Sequence, residues 1–232
     1  MILGSKLRTV AALALLPLVA ACVQPPTPKD YTPFRAEGPR SILVVPAINN
    51  SQTVEAADYF VSTIAPPFAE RGYYVFPSFM VKRVMEENGL SDPGLVHNAD
   101  ARRISNLFGC DAVLFVIIEN WESEYAVLAT ATKVGFTYEL RSCKTNAVLW
   151  QDKRTVVYSP QANSSGNIFA DLIVMAIVAA VEKAAPNYIP LAKQANLLAS
   201  ATAGQGLPAG PYLADQYQKD GSTFPSTPTA PK

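Results

Sequence analysis

Three glutamates, Glu119, Glu122 and Glu124, fall within six residues beside Trp121 and Tyr125. Paired carboxylates can divide acid and base duties in proton transfer, but a solvated turn produces the same pattern. Acid–base chemistry there requires a deep cleft with raised carboxylate pKa values. Trp121 and Tyr125 also suit a partner-binding surface, because aromatic side chains carry much of the energy at interfaces. The single histidine, His97, precedes a helical pattern and reads as an exposed loop residue. It has no visible partners for a catalytic triad or a metal site. No GxSxG, HExxH or Walker-type loop is present. Gly204, Gly206 and Gly210 follow no strand and open no helix, so they do not form a phosphate-binding loop. Cys110 and Cys143 either pair in an oxidising compartment or remain buried thiols. No CxxC occurs, so a thioredoxin-like role or a structural zinc site has no support. No catalytic residue, metal or cofactor is expected.

The third cysteine stands in a different context. Lys6 and Arg8 open the chain, an apolar run follows from Val10 to Ala21, and Val19-Ala20-Ala21 leads directly into Cys22. A basic start, a short apolar stretch and small residues before the cut are the layout of a secretory signal. The run is about 12 residues, well short of the roughly 20 needed to span a bilayer. A cysteine immediately after the small residues resembles the lipobox of bacterial lipoproteins. That resemblance implies thioether acylation of Cys22, cleavage before it and acylation of the new amino terminus. Several acyl chains anchor a protein stably where one does not. Val23 follows, not the aspartate of inner-membrane retention, which favours the outer membrane.

Basic and acidic residues number 19 each in the whole chain. Lys6 and Arg8 leave with the signal, so the mature chain carries two more acids than bases. Such a balance offers no electrostatic footprint for nucleic acid.

The elements read as follows. Residues 1–21 are signal, and 22–40 carry the lipid and a Pro-rich spacer with polyproline character. Ser41 to Pro46 is a buried strand. Val54, Ala57, Val61, Ile64 and Phe68 mark one helical face, with a kink or break expected near Ala65, before Pro66-Pro67, and the helix resuming through Glu70. Tyr73 to Phe76 is a second strand, followed by a helix with Val81, Val84 and Met85 inward. Asn98 caps a third helix whose inner face is Ala101, Ile104, Leu107 and Phe108, ending at Gly109. Asp111 to Ile118 is apolar on both faces, as befits a central strand. Asn120 to Glu124 then reads as a hairpin loop, and strands over 125–140 and 147–158 complete an antiparallel meander. Residues 167–185 form a helix apolar almost all round, either sunk in the core or packed on a second subunit through residues such as Ile173 and Ile177. A short helix over 191–199 follows. Residues 201–232 read as a low-complexity mobile tail in which 207–212 can dock an aromatic. The single domain is thus 41–200.

Thr53 to Phe60, Ala69 to Pro77, Phe108 to Leu114 and Lys144 to Trp150 resemble, in order, the signature blocks of a family of bacterial lipoproteins typified by a meningococcal genome-derived lipoprotein antigen. The likeness covers about residues 40–200, and the 207–212 segment is similar to the family's C-terminal end. Cys110 stands where that pattern has alanine. The resemblance implies a fold like the N-terminal domain of TolB, with an α/β mixed sheet of about five strands, helices packed on it and a hydrophobic helix at the end. It also implies outer-membrane association, self-association into a homo-oligomer and gene proximity to a lipoprotein related to the curli secretion channel. Two functions are consistent with these features: a non-enzymatic adaptor or assembly factor in envelope transport, or a periplasmic carrier of a small lipid or peptide.

Overall fold

The computed structural model describes residues 27–126, 129–158 and 188–226. Cys22, the 167–185 helix and its Ile173 and Ile177 lie outside the described residues.

Strand β1 (Ser41–Val44) pairs in parallel with both β3 (Tyr74–Val75) and β4 (Ala112–Ala126). β5 (Ala129–Ser142) and β6 (Val148–Tyr158) complete an antiparallel meander with β4, giving the order β3-β1-β4-β5-β6. A two-residue strand β2 (Ile48–Asn49) also pairs with β4, at Ile117 and Ile118. It continues the line of β1 after Pro46, which has no N–H to give to a ladder. The mixed sheet therefore has six strands where the sequence pattern suggests about five.

Period-two alternation puts opposite faces of β1 and β4 into two separate cores. Ile42, Val44, Ala112, Leu114 and Val116 face one, and Leu43, Val45, Val113 and Phe115 face the other. The first and larger core is covered by α2 (Ala56–Glu70) and α6 (Ile189–Ala201). The second is covered by α3 (Ser78–Glu87), α4 (Pro93–His97) and α5 (Ala101–Phe108). A buried chain of hydrogen bonds ties three elements under the larger core. Tyr138 Oη donates to Asn196 Oδ1 (2.7 Å), Asn196 Nδ2 to Thr63 Oγ1 (2.9 Å) and Thr63 Oγ1 to the Phe60 carbonyl (2.7 Å).

Helix α2 continues through Pro66 and Pro67 to Glu70 without a break. Both prolines sit near its C-terminal end. Phe60, Ile64 and Phe68, each at most 1 % exposed, hold the helix on the core. That burial outweighs two lost backbone bonds, a loss of about 3 kcal/mol per interior proline. Helix α5 is capped by Asp100, whose side chain accepts from Arg102 N, rather than by Asn98, which closes α4 by donating to Gly94 O. Leu107 is exposed rather than inward.

The expected hairpin loop at 120–124 is strand. β4 continues to Ala126, and its register with β5 shifts between Ile118 and Asn120. One extra residue in a strand exchanges its two faces beyond that point. Ile118 and Trp121 consequently face the same core although they are three positions apart, an odd offset that regular alternation would place on opposite faces. Gly135, opposite Asn120, permits the close approach, since an added Cβ there would lie 2.8 Å from Asn120 Oδ1.

The spacer and tail assigned from composition also need correction. Residues 29–40 and 202–226 form a clasp across the larger core. Tyr31 and Phe34, the latter in a short helix α1 (Thr32–Glu37), are buried together with Leu207 and Phe224. Tyr31 N donates to Pro225 O, and Lys29 N to Gly204 O. Asp220 receives Arg35 Nη2 (2.7 Å) and Ala209 N (2.7 Å). Gly210 packs where no side chain fits, because its Cβ would lie 2.2 Å from Gly72 O. Low complexity made this stretch look unstructured, but small residues are what a strap lying flat on a core requires. Tyr212, the aromatic expected to dock, is 62 % exposed, and Phe224 takes that place.

Candidate functional site

The connections out of β1 and β3 separate at the carboxyl end of β1. Helix α2 goes to one face of the sheet and α3 to the other. In open α/β sheets such a divergence leaves a crevice, and ligands favour it. Here the crevice is a cavity of about 290 Å³. Val44, Ala47, Phe60 and Ile64 line it from the sheet and α2, and Leu90 and Pro93 from the segment after α3. Its polar members are Asp58 on α2, Ser78, Lys82 and Glu86 on α3, and Ser91 in the segment that follows.

Lys82 Nζ donates to Asp58 Oδ1 at 2.8 Å, joining α2 to α3. That bond, opposed by slight burial, raises the lysine pKa above its ordinary value. Both side chains are well exposed, so the pair adds little stability. Ser78 is different. It is 7 % exposed, begins α3 after Pro77, and its Oγ finds no hydrogen-bond partner among the described residues. A buried hydroxyl left unpaired costs about 1–3 kcal/mol.

His97 supports the crevice from behind. It is half-buried rather than an exposed loop residue, because α4 carries it against the second core. Nε2 lies 3.0 Å from the carbonyl of Pro46, a crevice residue, and the ring stands edge-on to Phe115. The carbonyl can only accept, so the proton belongs on Nε2. Burial lowers the His97 pKa, the Pro46 bond opposes that shift, Arg141 lowers it further and Glu139 raises it. A histidine depressed in the fold binds fewer protons than the unfolded chain below its ordinary value of 6.5. Stability is therefore complete above that pH and falls as the pH drops through 6.5 toward the folded-state value. In His97→Gln, which keeps a donor for Pro46, this part of the acid sensitivity disappears. Urea midpoints at pH 7.5 and 5.5 measure it, and an equal drop in both proteins excludes the linkage.

The residues picked from sequence do not converge on this crevice. Trp121 is fully buried in the larger core, so it is no surface anchor as it stands. Tyr125 sits on β4 opposite Thr130. Glu119 accepts from Thr137 Oγ1 (2.7 Å) and Glu122 from Asn120 Nδ2 (3.1 Å), so these two carboxylates are taken up by structural bonds along a strand. Cys110 and Cys143 are joined in a disulfide with Cα atoms 6.2 Å apart, linking the start of β4 to the residue after β5. Sequence reasoning missed Asp58, Ser78 and Lys82. Pro77 followed by Ser78 marks a helix start, but nothing in the pattern says that the serine is buried against a cavity.

A mixed sheet with a parallel β1 region, an antiparallel meander and helices on both faces defines a mixed α/β domain. Residues 29–212 match the family described as "Putative lipoprotein GNA1162-like", and the chain belongs to that family. It is 32 % identical over 165 residues to the Neisseria meningitidis protein described as "Putative lipoprotein NMB1124/NMB1162", a match covering 71 % of this chain and 76 % of that one. The crystal structure of lipoprotein GNA1162 from N. meningitidis superposes with a TM-score of 0.52 at 28 % identity, over 62 % of this chain and 99 % of that chain. The PelC dodecamer from Paraburkholderia phytofirmans is more distant, with a TM-score of 0.42 and 13 % identity over 74 % of this chain and 90 % of that one.

Proposed function

We propose that this protein is a non-enzymatic adaptor or assembly factor of the cell envelope. Lipid on Cys22 tethers it to the outer membrane, and it acts in the periplasm on transport or secretion. One observation carries the reading: Lys29 already belongs to the folded body, its Nζ donating to Gln151 O and Asp152 Oδ1 (2.6 Å each). Seven residues separate Lys29 from Cys22. Fully extended they reach about 25 Å. A body on so short a leash works on partners presented at the membrane rather than on solutes at a distance. A lipoprotein related to the curli secretion channel is the partner the family resemblance suggests, and self-association through 167–185 is a second element of the proposal. Nucleic acid is not among the partners.

Cys22→Ser is expected to move the protein from washed membranes to the soluble fraction, and a mutant that stays in the pellet removes the lipid anchor. Cross-linking in intact envelopes with the wild-type chain then separates the roles. Capture of a channel-like outer-membrane lipoprotein supports the adaptor, whereas a chain that cross-links to nothing overturns it. Light scattering on the soluble Cys22→Ser protein reads the oligomer directly, and a monomer eliminates self-association.

A second reading, a small-ligand carrier, is favoured by the cavity between α2 and α3.

A further inference from the structure

The geometry points to the outer edge of β6 as the docking site for an extended segment of a partner protein. The segment adds a further strand beside Lys153, Thr155 and Val157 and carries a carboxylate opposite Lys153. The assignment rests on the adaptor reading and names its contact surface and the chemistry of what docks there.

The two edges of the sheet are finished differently. β3 is two residues long, and the strap lies beside it, with Gly210 N donating to Arg71 O and Tyr212 N to Gly72 O. β6 is 11 residues long. Backbone groups of an antiparallel strand turn alternately to one side and the other. Gln151 gives its carbonyl to Lys29 Nζ, away from β5. Lys153, Thr155 and Val157 therefore turn their N–H and C=O groups outward too. Asp152, Arg154 and Val156 serve the ladder to Tyr138, Phe136 and Val134. Among the described residues no backbone group pairs with 153, 155 or 157 on the outer side. Such an edge is a template for one more strand. Lys29 closes it at Gln151, so an incoming strand pairs from Lys153 onward. Lys29 also places this edge at the leash end of the body, where partners at the membrane are met.

The side chains choose the occupant. Lys153, Thr155 and Val157 are all exposed, while Val156 between the last two is buried in the larger core. Lys153 lies opposite Thr137 and makes no ion pair among the described residues, whereas Arg154 is held by Asp152. A lysine on an edge resists indiscriminate apolar pairing and favours a strand with a carboxylate in register. Thr155 and Val157 then match β-branched neighbours. A second copy of β6 fits poorly. Antiparallel self-pairing about Lys153 or Arg154 sets a like charge against itself on the twofold axis, which destabilises. Pairing about Thr155 sets Lys153 against Val157 and Arg154 against Val156, with no carboxylate for either cation.

The test titrates the full-length, detergent-solubilised protein against a fluorescent peptide, Val-Thr-Thr-Thr-Glu-Thr-Thr-Thr-Val, and its counterpart with lysine in place of glutamate. Both read alike in either strand direction. The glutamate peptide is expected to bind and to slow amide exchange at Lys153, Thr155 and Val157. Lys153→Glu is expected to reverse the preference, the lysine peptide then binding about tenfold tighter than the glutamate peptide. Thr155→Pro removes an outward N–H without breaking the ladder to β5, so the chain folds and binding is lost. If the proline variant does not fold, the Lys153→Glu reversal decides alone. Equal binding of both peptides by wild type overturns the partner chemistry, and binding that survives in folded Thr155→Pro overturns the site. A dimer in light scattering that Thr155→Pro turns into a monomer puts a second copy on the edge and overturns the foreign partner. No binding of either peptide overturns the proposal, while cross-linking in envelopes still judges the adaptor reading separately.

Discussion

Ending the chain after Ala201 is expected to abolish cooperative folding, although what is removed resembles a disordered tail. Segment 202–226 supplies carbonyls to four donors in the body. Tyr31 Oη reaches Gly206 O (2.6 Å), Tyr73 Oη reaches Pro208 O (2.7 Å), Trp150 Nε1 reaches Gln205 O (2.8 Å) and Arg71 Nη2 reaches Leu207 O (2.7 Å). Burial drives the pKa values of Tyr31 and Tyr73 far upward, so both phenols stay protonated donors across the working range. Each donor stranded in the core costs about 1–3 kcal/mol, and loss of Leu207 and Phe224 adds about 1.5–3 kcal/mol apiece. Water reaches some of these groups once the strap is gone, which favours the lower figures. The sum still approaches the whole stability of a typical domain, about 5–15 kcal/mol. Circular dichroism melts of the truncated and full chains are the measurement. Asp220→Ala, which strands the Ala209 N–H and leaves Arg35 with the Phe224 carbonyl, lowers the midpoint by a smaller step. Tyr212→Ala, at an exposed ring, stays within about 0.5 kcal/mol of wild type. A truncated chain that melts like the full one shows that the clasp merely decorates the core.

The central architecture was legible because its signals are local. The continuous apolar runs Ile42–Val45 and Ala112–Val116, and the inward set Val134, Phe136, Tyr138 and Leu140, survive any choice of partner strand. What could not be read depends on contacts distant in sequence. Gly204 to Pro211 reads as low complexity until Gly72, Tyr73 and Trp150 are beneath it. Asn120 to Glu124 reads as a loop because polar residues on the open face of an antiparallel sheet look the same as polar residues in a turn. Only the bulge opposite Gly135 distinguishes them. The crevice was out of reach for the same reason. Asp58 and Lys82 are 24 residues apart, and neither belongs to a motif.

Trp121 is where the two descriptions make opposite predictions. As a loop anchor for a partner it would contribute nothing to folding, and Trp121→Ala would leave the denaturation midpoint alone. In the structure the indole is fully buried, stacked on Tyr59 at 6.4 Å and 12°, edge-on to Phe136 at 6.2 Å and beside Tyr188. Its own carbonyl accepts from Thr53 Oγ1 (2.8 Å), so the residue holds the entry to α2 as well as the core. Trp121→Ala is therefore expected to cost about 3–5 kcal/mol, the range for removing a large aromatic from a packed interior. Trp121→Phe separates shape from hydrogen bonding. Nε1 has no acceptor among the described residues, so losing that donor sacrifices no bond. Its removal recovers part of what the smaller ring gives up, because an unpaired buried donor is itself a cost. The phenylalanine variant should lie within about 1.5 kcal/mol of wild type. Urea midpoints for the two variants decide the matter. An unchanged midpoint for Trp121→Ala returns the residue to the surface, and equal losses in both mean that the indole N–H is bonded in solution. The expected order, wild type close to Trp121→Phe and far above Trp121→Ala, assigns Trp121 to the core and leaves partner binding to other parts of the molecule.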